Sequence, residues 1–185
     1  MDKLALYSTI LCEGNSNSLD YKIYKKIFPN KQIIPCGANS ILKIKEYKHE
    51  KFNNVCAITD KDKLNMVEID ELEKHHIFCL RVRAIENLMV SDEALKNICD
   101  EMKVANYFEK IDNIKTVLFN KYGAKLNKEF SCIITKNNIL LYFYPKRVVG
   151  TVSSMLKISK ASFENYFYKV LYENKIFNNF INDYL

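Results

Sequence analysis

The stretch Val55-Cys56-Ala57-Ile58-Thr59-Asp60-Lys61-Asp62 decides how the rest of this chain is read. Val55 to Thr59 is an apolar run with the length and β-branched content of a buried strand. Two carboxylates one residue apart follow it. In an extended chain, side chains at i and i+2 share a face, so Asp60 and Asp62 are expected to aim at one point beyond the strand end. Carboxylates that close repel unless something positive lies between them, and a divalent cation meets that need. The competing reading is an ordinary polar turn. The choice rests on whether other segments bring acid to the same edge.

Upstream, Leu4 to Cys12 is predicted as the first strand, closed by Glu13-Gly14. Asn15-Ser16-Asn17-Ser18 supplies turn and helix-capping chemistry. Leu19 to Phe28 repeats apolar residues at helical spacing (Leu19, Ile23, Ile27), and Pro29-Asn30 stops it. Gln32 to Cys36 is a short second strand, Gly37 to Ser40 a turn, and Ile41 to Tyr47 a second helix. Phe52 to Thr59 makes the third strand. Downstream, Met66 to Lys74 reads as a charged helix whose weak apolar side is Val67, Ile69 and Leu72, and Ile77 to Val82 as a fourth strand. Strands alternating with helices predict an α/β fold, a parallel four-stranded sheet with helices on both faces.

After Ser91 the pattern turns helical. Asp92 to Met102, Val104 to Tyr122 as one or two pieces, Lys146 to Leu156 behind Pro145, and Ser162 to Leu185 as one or two pieces all read as helix. Phe130 to Thr135 and Ile139 to Tyr144 fit short strands or helix starts equally. The expected organisation is an α/β domain over residues 1–90 and a mainly helical C-terminal region over 91–185.

At 185 residues, a compact domain with a helical extension is the natural size class. Twelve Tyr and eleven Phe against four Gly and three Pro argue for an ordered chain with a real core. The +6 net charge suits a polyanion but equally a solvating surface. Lys43, Lys45 and Lys48 read most simply as a solvated helix face. The six cysteines have no ligand spacing and read as small buried thiols in a reducing cytosol. His75 and His76 suit a helix C-terminus better than a metal. The aromatic stripe of residues 163 to 184 reads as core or a subunit interface, which allows self-association. No apolar run is long enough to span a bilayer and no leader is evident, so a cytoplasmic protein is expected.

Open parallel sheets bind ligands beyond the carboxyl ends of their strands. Glu13 ends the first strand and Asp60 and Asp62 the third, so these acids meet if the two strands are neighbours. Glu86, just past the fourth strand, is placed to join them. Oxygen ligands without His or Cys favour Mg²⁺ or Mn²⁺ over Zn²⁺.

Glu13-Gly14 after one apolar strand and Asp60-x-Asp62 after a later one resemble the Toprim domain shared by topoisomerases, bacterial primases and OLD-family nucleases. The resemblance covers roughly residues 4 to 90. Asn39-Ser40-Ile41 and Ile85-Glu86-Asn87-Leu88 are similar to the OLD-like branch, in particular to the AriB-type Toprim nuclease subunits paired with ABC-type ATPases in phage-defence systems. The resemblance implies a Mg²⁺-dependent (or Mn²⁺-dependent) nuclease hydrolysing phosphodiester bonds in RNA or DNA. It implies Glu13, Asp60 and Asp62 as metal ligands, Glu86 assisting, and Lys146 neutralising transition-state charge. Arg81, Arg83, Lys61 and Lys63 are near enough in sequence to contact phosphates. The chain departs from the pattern in one respect. Many Toprim motifs place an Asp about three residues after the Glu-Gly pair, whereas here Asp20 either serves that purpose or simply favours the helix N-terminus. A ribosomal-RNA maturase and a catalytically silent module that binds nucleic acid or an ATPase are the alternatives. Primase and topoisomerase activities need further domains that this length does not carry.

Overall fold

Four apolar runs pair as one all-parallel sheet in the computed structural model, which describes residues 4–37, 46, 54–62, 64–130, 133–173, 175–177 and 180–185. The strands are β1 (Thr9–Cys12), β2 (Gln32–Pro35), β3 (Val55–Thr59) and β4 (Ile77–Cys79), in spatial order β2-β1-β3-β4. The central pair, β1 and β3, is buried at every position, as expected of strands covered on both faces.

Among the described residues, α1 (Leu19–Ile27) and α2 (Met66–Lys74) alternate with the strands. Helix α1 starts at Ser18, whose hydroxyl accepts from the Tyr21 N–H at 3.3 Å. Helix α2 is closed by a capping box: Asn65 Oδ1 accepts from the Glu68 N–H at 3.0 Å, and the Glu68 carboxylate accepts from the Asn65 N–H at 2.8 Å. Leu11, Val55, Ala57 and Ile77 pack with Cys36, Ile34 and Leu72 of α2. The alternate residues Ile10, Cys12 and Ile58 point to the other face, where α1 contributes fully buried Ile23 and Tyr24.

The chain divides into two compact units: Met1–Arg81 together with Asn178–Leu185, and Val82–Phe177. The division falls after Arg81, where the sequence suggested a break near residue 90. The last helix, α8 (Phe180–Tyr184), belongs to the first unit. Phe180 stands edge-on to Tyr24 and Phe28 at 6.0 and 5.9 Å, and the Tyr184 carbonyl accepts from the Arg81 N–H at 2.9 Å.

The second unit contains a 3-10 helix (Ile85–Val90), α3 (Asp92–Glu101), α4 (Tyr107–Phe130), α5 (Ile139–Tyr142), α6 (Pro145–Met155) and α7 (Lys160–Tyr172). The 3-10 helix packs on α5 and α6, and α3 packs on α7. Asn87 ties this unit together. Its fully buried amide donates to the carbonyls of Leu140 (2.6 Å) and Phe143 (2.9 Å) and accepts from the Ala84 N–H (3.2 Å). Phe163 and Phe167 of the aromatic stripe are fully buried core residues here.

Several boundaries differ from the sequence reading. The first strand begins at Thr9, because Leu4 to Leu6 form a turn whose end is held by Lys31: its ammonium donates to the Leu4 carbonyl (2.9 Å) and the Tyr7 carbonyl (2.6 Å). The fourth strand ends at Cys79, since the Arg81 N–H is drawn to Tyr184. The helix expected over Val104 to Tyr122 starts at Tyr107 and runs on to Phe130 as the single helix α4. Ile139 to Tyr142 is a helical turn, and Ile133 to Thr135 is irregular, with the Ile134 N–H bound to Asn127 Oδ1 at 2.6 Å. The expected helix over 41–47 (Glu46 apart, which is helical), the Asn39-Ser40-Ile41 motif, Lys43, Lys45, Lys48, Lys63 and Cys132 lie outside the described residues. Cys12, Cys36, Cys56, Cys79 and Cys99 are buried, as expected. No helix among the described residues is long and apolar enough to cross a membrane.

Candidate functional site

Strand register brings the first acid to the third strand. Leu11 pairs with Ala57 in the parallel β1–β3 ladder. Two residues further along each strand, on the same face, stand Glu13 and Thr59, and the Thr59 hydroxyl donates to Glu13 Oε1 at 2.7 Å. Glu13 and Asp60 are therefore delivered to one carboxyl edge of the sheet by neighbouring strands.

The turn after Glu13 is built to hold that position. Gly14 and Gly37 exchange two backbone hydrogen bonds, of 3.1 and 2.7 Å, joining the ends of β1 and β2. Both have positive φ, +79° and +76°. A Cβ on Gly14 would lie 2.5 Å from Ser18 Cβ and 2.6 Å from Ser18 Oγ. Ser18 Oγ in turn donates to the Glu13 carbonyl at 3.3 Å while capping α1. The Glu-Gly pair, the helix cap and the end of β2 thus form one connected turn.

Beyond Thr59 the arrangement departs from expectation. Asp60 is half-buried, Lys61 is buried, and Asp62 is exposed with φ +43°. The chain is not extended through Asp62, so the alternation that would set Asp60 and Asp62 side by side does not reach it. Continuing the alternation from Thr59, Asp60 belongs to the face that α1 covers. Asp20, half-buried in the first turn of α1, lies on that side too.

Tyr24 marks where these acids gather. Its side chain is fully buried, and its hydroxyl has no hydrogen-bond partner among the described residues. Its pKa is pushed well above the usual phenol value, first by burial, then by the charges of Asp20, Asp60, Cys12 and Glu13. Burial also pushes the Cys12 thiol up to about 12, with Asp20, Cys36 and Glu13 adding to it. Three carboxylates from β1, α1 and the end of β3 thus act on one hydroxyl. The sequence reading missed Tyr24 and Thr59. The i, i+4 spacing of Asp20 and Tyr24 was the available signal, since it places both on one helix face.

The donors suit a hard cation in kind, being carboxylate oxygens beside a buried phenol. As the side chains stand, no group of three or more His, Cys, Asp or Glu among the described residues is placed to hold a metal ion. Loading an ion would require side-chain rotation.

Glu86 and Lys146 belong to the second unit. Glu86 is half-buried on the 3-10 helix, and Lys146 is exposed in the first turn of α6 behind Pro145, two elements that pack together. The expected phosphate contacts need correction. Arg83 is buried, pairs with Glu129 at 2.7 Å, and stacks its guanidinium over Tyr144 and Phe130 at 4.8 and 5.2 Å. Lys61 is likewise withdrawn from the surface. Arg81 is exposed. His75 ends α2 as expected, 3.6 Å from the Glu71 carboxylate.

Fold and edge together define a class: a parallel α/β unit whose candidate ligands are carboxylates at the carboxyl ends of its two central strands. Comparison with family models, with curated proteins and with solved structures found no match.

Proposed function

We propose that the chain is a Toprim-like, Mg²⁺- or Mn²⁺-dependent nuclease of the OLD-like branch, hydrolysing phosphodiester bonds in RNA or DNA. Regulation by an ABC-type ATPase partner in phage defence follows from the same resemblance. The observation that carries the reading is the 2.7 Å hydrogen bond from Thr59 to Glu13, which joins the Glu-Gly strand end to the residue just before Asp60. Acids distant in sequence thereby share one edge of a parallel sheet, where such sheets take ligands. Glu13 and Asp60, with Asp62 and Asp20 nearby in sequence, are the residues that would hold the ion. A bound Mg²⁺ would supply Lewis-acid polarisation of a phosphate oxygen and an activated water. The chain's own residues position it: Gly14 and Gly37 fix the turn, Ser18 holds the Glu13 backbone, and Thr59 orients its carboxylate. The reading does not depend on Glu86 or Lys146.

The absence of a ready three-ligand group among the described residues favours a second reading, a silent Toprim-like module that binds nucleic acid or an ATPase. Titration of Mg²⁺ and Mn²⁺, followed by thermal stability, decides between them, with a Mn²⁺-supplemented cleavage assay on mixed RNA and DNA alongside. Asp60→Ala should remove both the cation-dependent stabilisation and cleavage while leaving the ion-free protein folded. Cleavage that survives in Asp60→Ala would overturn the proposed site.

A further inference from the structure

Tyr144, the residue that caps α6, gathers cations around its ring, all of them within the second unit. The Arg83 guanidinium lies 4.8 Å from the ring centre, the Lys125 ammonium of α4 5.5 Å, and the Arg147 guanidinium of α6 5.9 Å. One turn back along α4, Lys121 sits 5.2 Å over Tyr122, whose ring is edge-on to Tyr144 at 6.2 Å. Like charges this close repel, and the Glu129 carboxylate offsets only Arg83, to which it is bonded at 2.7 Å. Among the described residues, Lys121, Lys125 and Arg147 are exposed and form no ion pair, whereas Lys74, Lys136 and Lys160 each do. Lys121, Lys125 and Lys128 recur at helical spacing along one face of α4. The first turn of α6 adds Lys146 and Arg147 and no acidic residue, at the end where the helix dipole disfavours cations. Folding gains little from collecting these charges, whereas an anion lying across them gains from each.

We propose that this face of α4 and the first turn of α6 binds nucleic acid, with Lys121, Lys125 and Arg147 contacting backbone phosphates beside Tyr122 and Tyr144. Cations held over aromatic rings are already ordered, so less side-chain entropy is lost when they take a phosphate. Rings interleaved with cations also suit bases next to their phosphates, which favours nucleic acid over an anionic membrane surface. The inference deepens the functional reading above, on which it rests for the identity of the polymer, and it requires no bound metal ion. It assigns the backbone contacts to residues of the second unit, none of which belongs to the strand ends.

The test measures binding of labelled single-stranded RNA, single-stranded DNA and duplex DNA to the full chain by fluorescence anisotropy. It is run over a salt series in EDTA, where neither cleavage nor metal ligation contributes. Wild type should bind with a strongly salt-dependent affinity. Each single-strand phosphate contact steepens the fall of log K with log salt by about 0.7. Lys121→Gln/Lys125→Gln/Arg147→Gln should therefore flatten the slope by about 2 and weaken binding about 10²-fold at about 0.1 M salt. Lys74→Gln/Lys136→Gln/Lys160→Gln removes the same charge from lysines that are ion-paired elsewhere, and should keep the wild-type slope. Should the first variant lose its wild-type unfolding midpoint, Lys121→Gln/Lys125→Gln replaces it, with a slope change of about 1.4. Equal losses in the two triple variants reduce the effect to net charge and overturn the proposal. So does a first variant that binds like wild type, a wild type that binds none of the three polymers, or binding to phosphatidylserine vesicles in place of nucleic acid. Binding in EDTA through these residues without any Mn²⁺-supplemented cleavage overturns the nuclease reading and leaves the surface standing.

Discussion

Gly14→Ala tests whether the turn after β1 holds the acidic edge in place. Two costs follow from the geometry. Alanine must adopt the left-handed φ of +79°, which costs about 1–2 kcal/mol for an L-residue. Its methyl must also displace Ser18, whose Cβ and Oγ would lie at 2.5 and 2.6 Å. Moving Ser18 breaks the cap of α1 and the bond to the Glu13 carbonyl, and loss of such a cap costs about 1 kcal/mol. The sum is about 2–3 kcal/mol. With an urea dependence of about 2 kcal/mol per molar, the midpoint should fall by about 1–1.5 M. The double variant Gly14→Ala/Ser18→Gly separates the two costs. Glycine at an N-cap costs only about a few tenths of a kcal/mol relative to serine, and it removes the atoms that clash. The double variant should therefore be more stable than Gly14→Ala alone, a non-additivity expected of residues in contact. A Gly14→Ala midpoint within about 0.2 M of wild type, or a double variant less stable than the single, would refute the reasoning.

Arg83→Ala should destabilise the second unit by about 3 kcal/mol, because it leaves the half-buried Glu129 without its cation; Arg83→Lys should restore little, since the planar stack over Tyr144 is lost. Thermal unfolding checks both, and weakened nucleic-acid binding at unchanged stability would return Arg83 to the phosphate contacts. Stability should fall on the alkaline side. The Cys12 and Cys79 thiols are raised from 9.0 to about 12 by burial, so the folded chain holds their protons after the unfolded chain has released them. Their contribution is complete below about pH 9 and is lost as pH climbs towards 12, which urea midpoints between pH 8 and 11 would reveal. Native thiols should accordingly resist alkylation at pH 8 until denaturant is added. Lys146→Ala should lower the cleavage rate by about 10²-fold while leaving cation-induced stabilisation intact, and an unchanged rate would remove that residue from the proposed chemistry.

The order and type of the first elements were legible along the chain because each carried its own local signal. Val55 to Thr59 is apolar and β-branched, Met66 to Lys74 opens with its own capping pair, and Pro145 suits the first position of a helix. Strand order was not legible in this way, since nothing local says that β1 sits between β2 and β3. The joining of Glu13 to Thr59 depends on that order and on a register that pairs Leu11 with Ala57. The extended geometry expected at Asp62 failed for a similar reason: the chain turns there with positive φ, and spacing alone records no dihedral angle. Arg83 looked like a phosphate ligand because charge is visible in a sequence while Glu129 and Tyr144, its partners far along the chain, are not. Composition and periodicity thus determined a parallel α/β unit with acids at its strand ends. Folding alone decided which acids come to one sheet edge, which cations are spent on structure, and that a buried phenol lies on the same side of the sheet, because each of these is a meeting between residues that the sequence keeps apart.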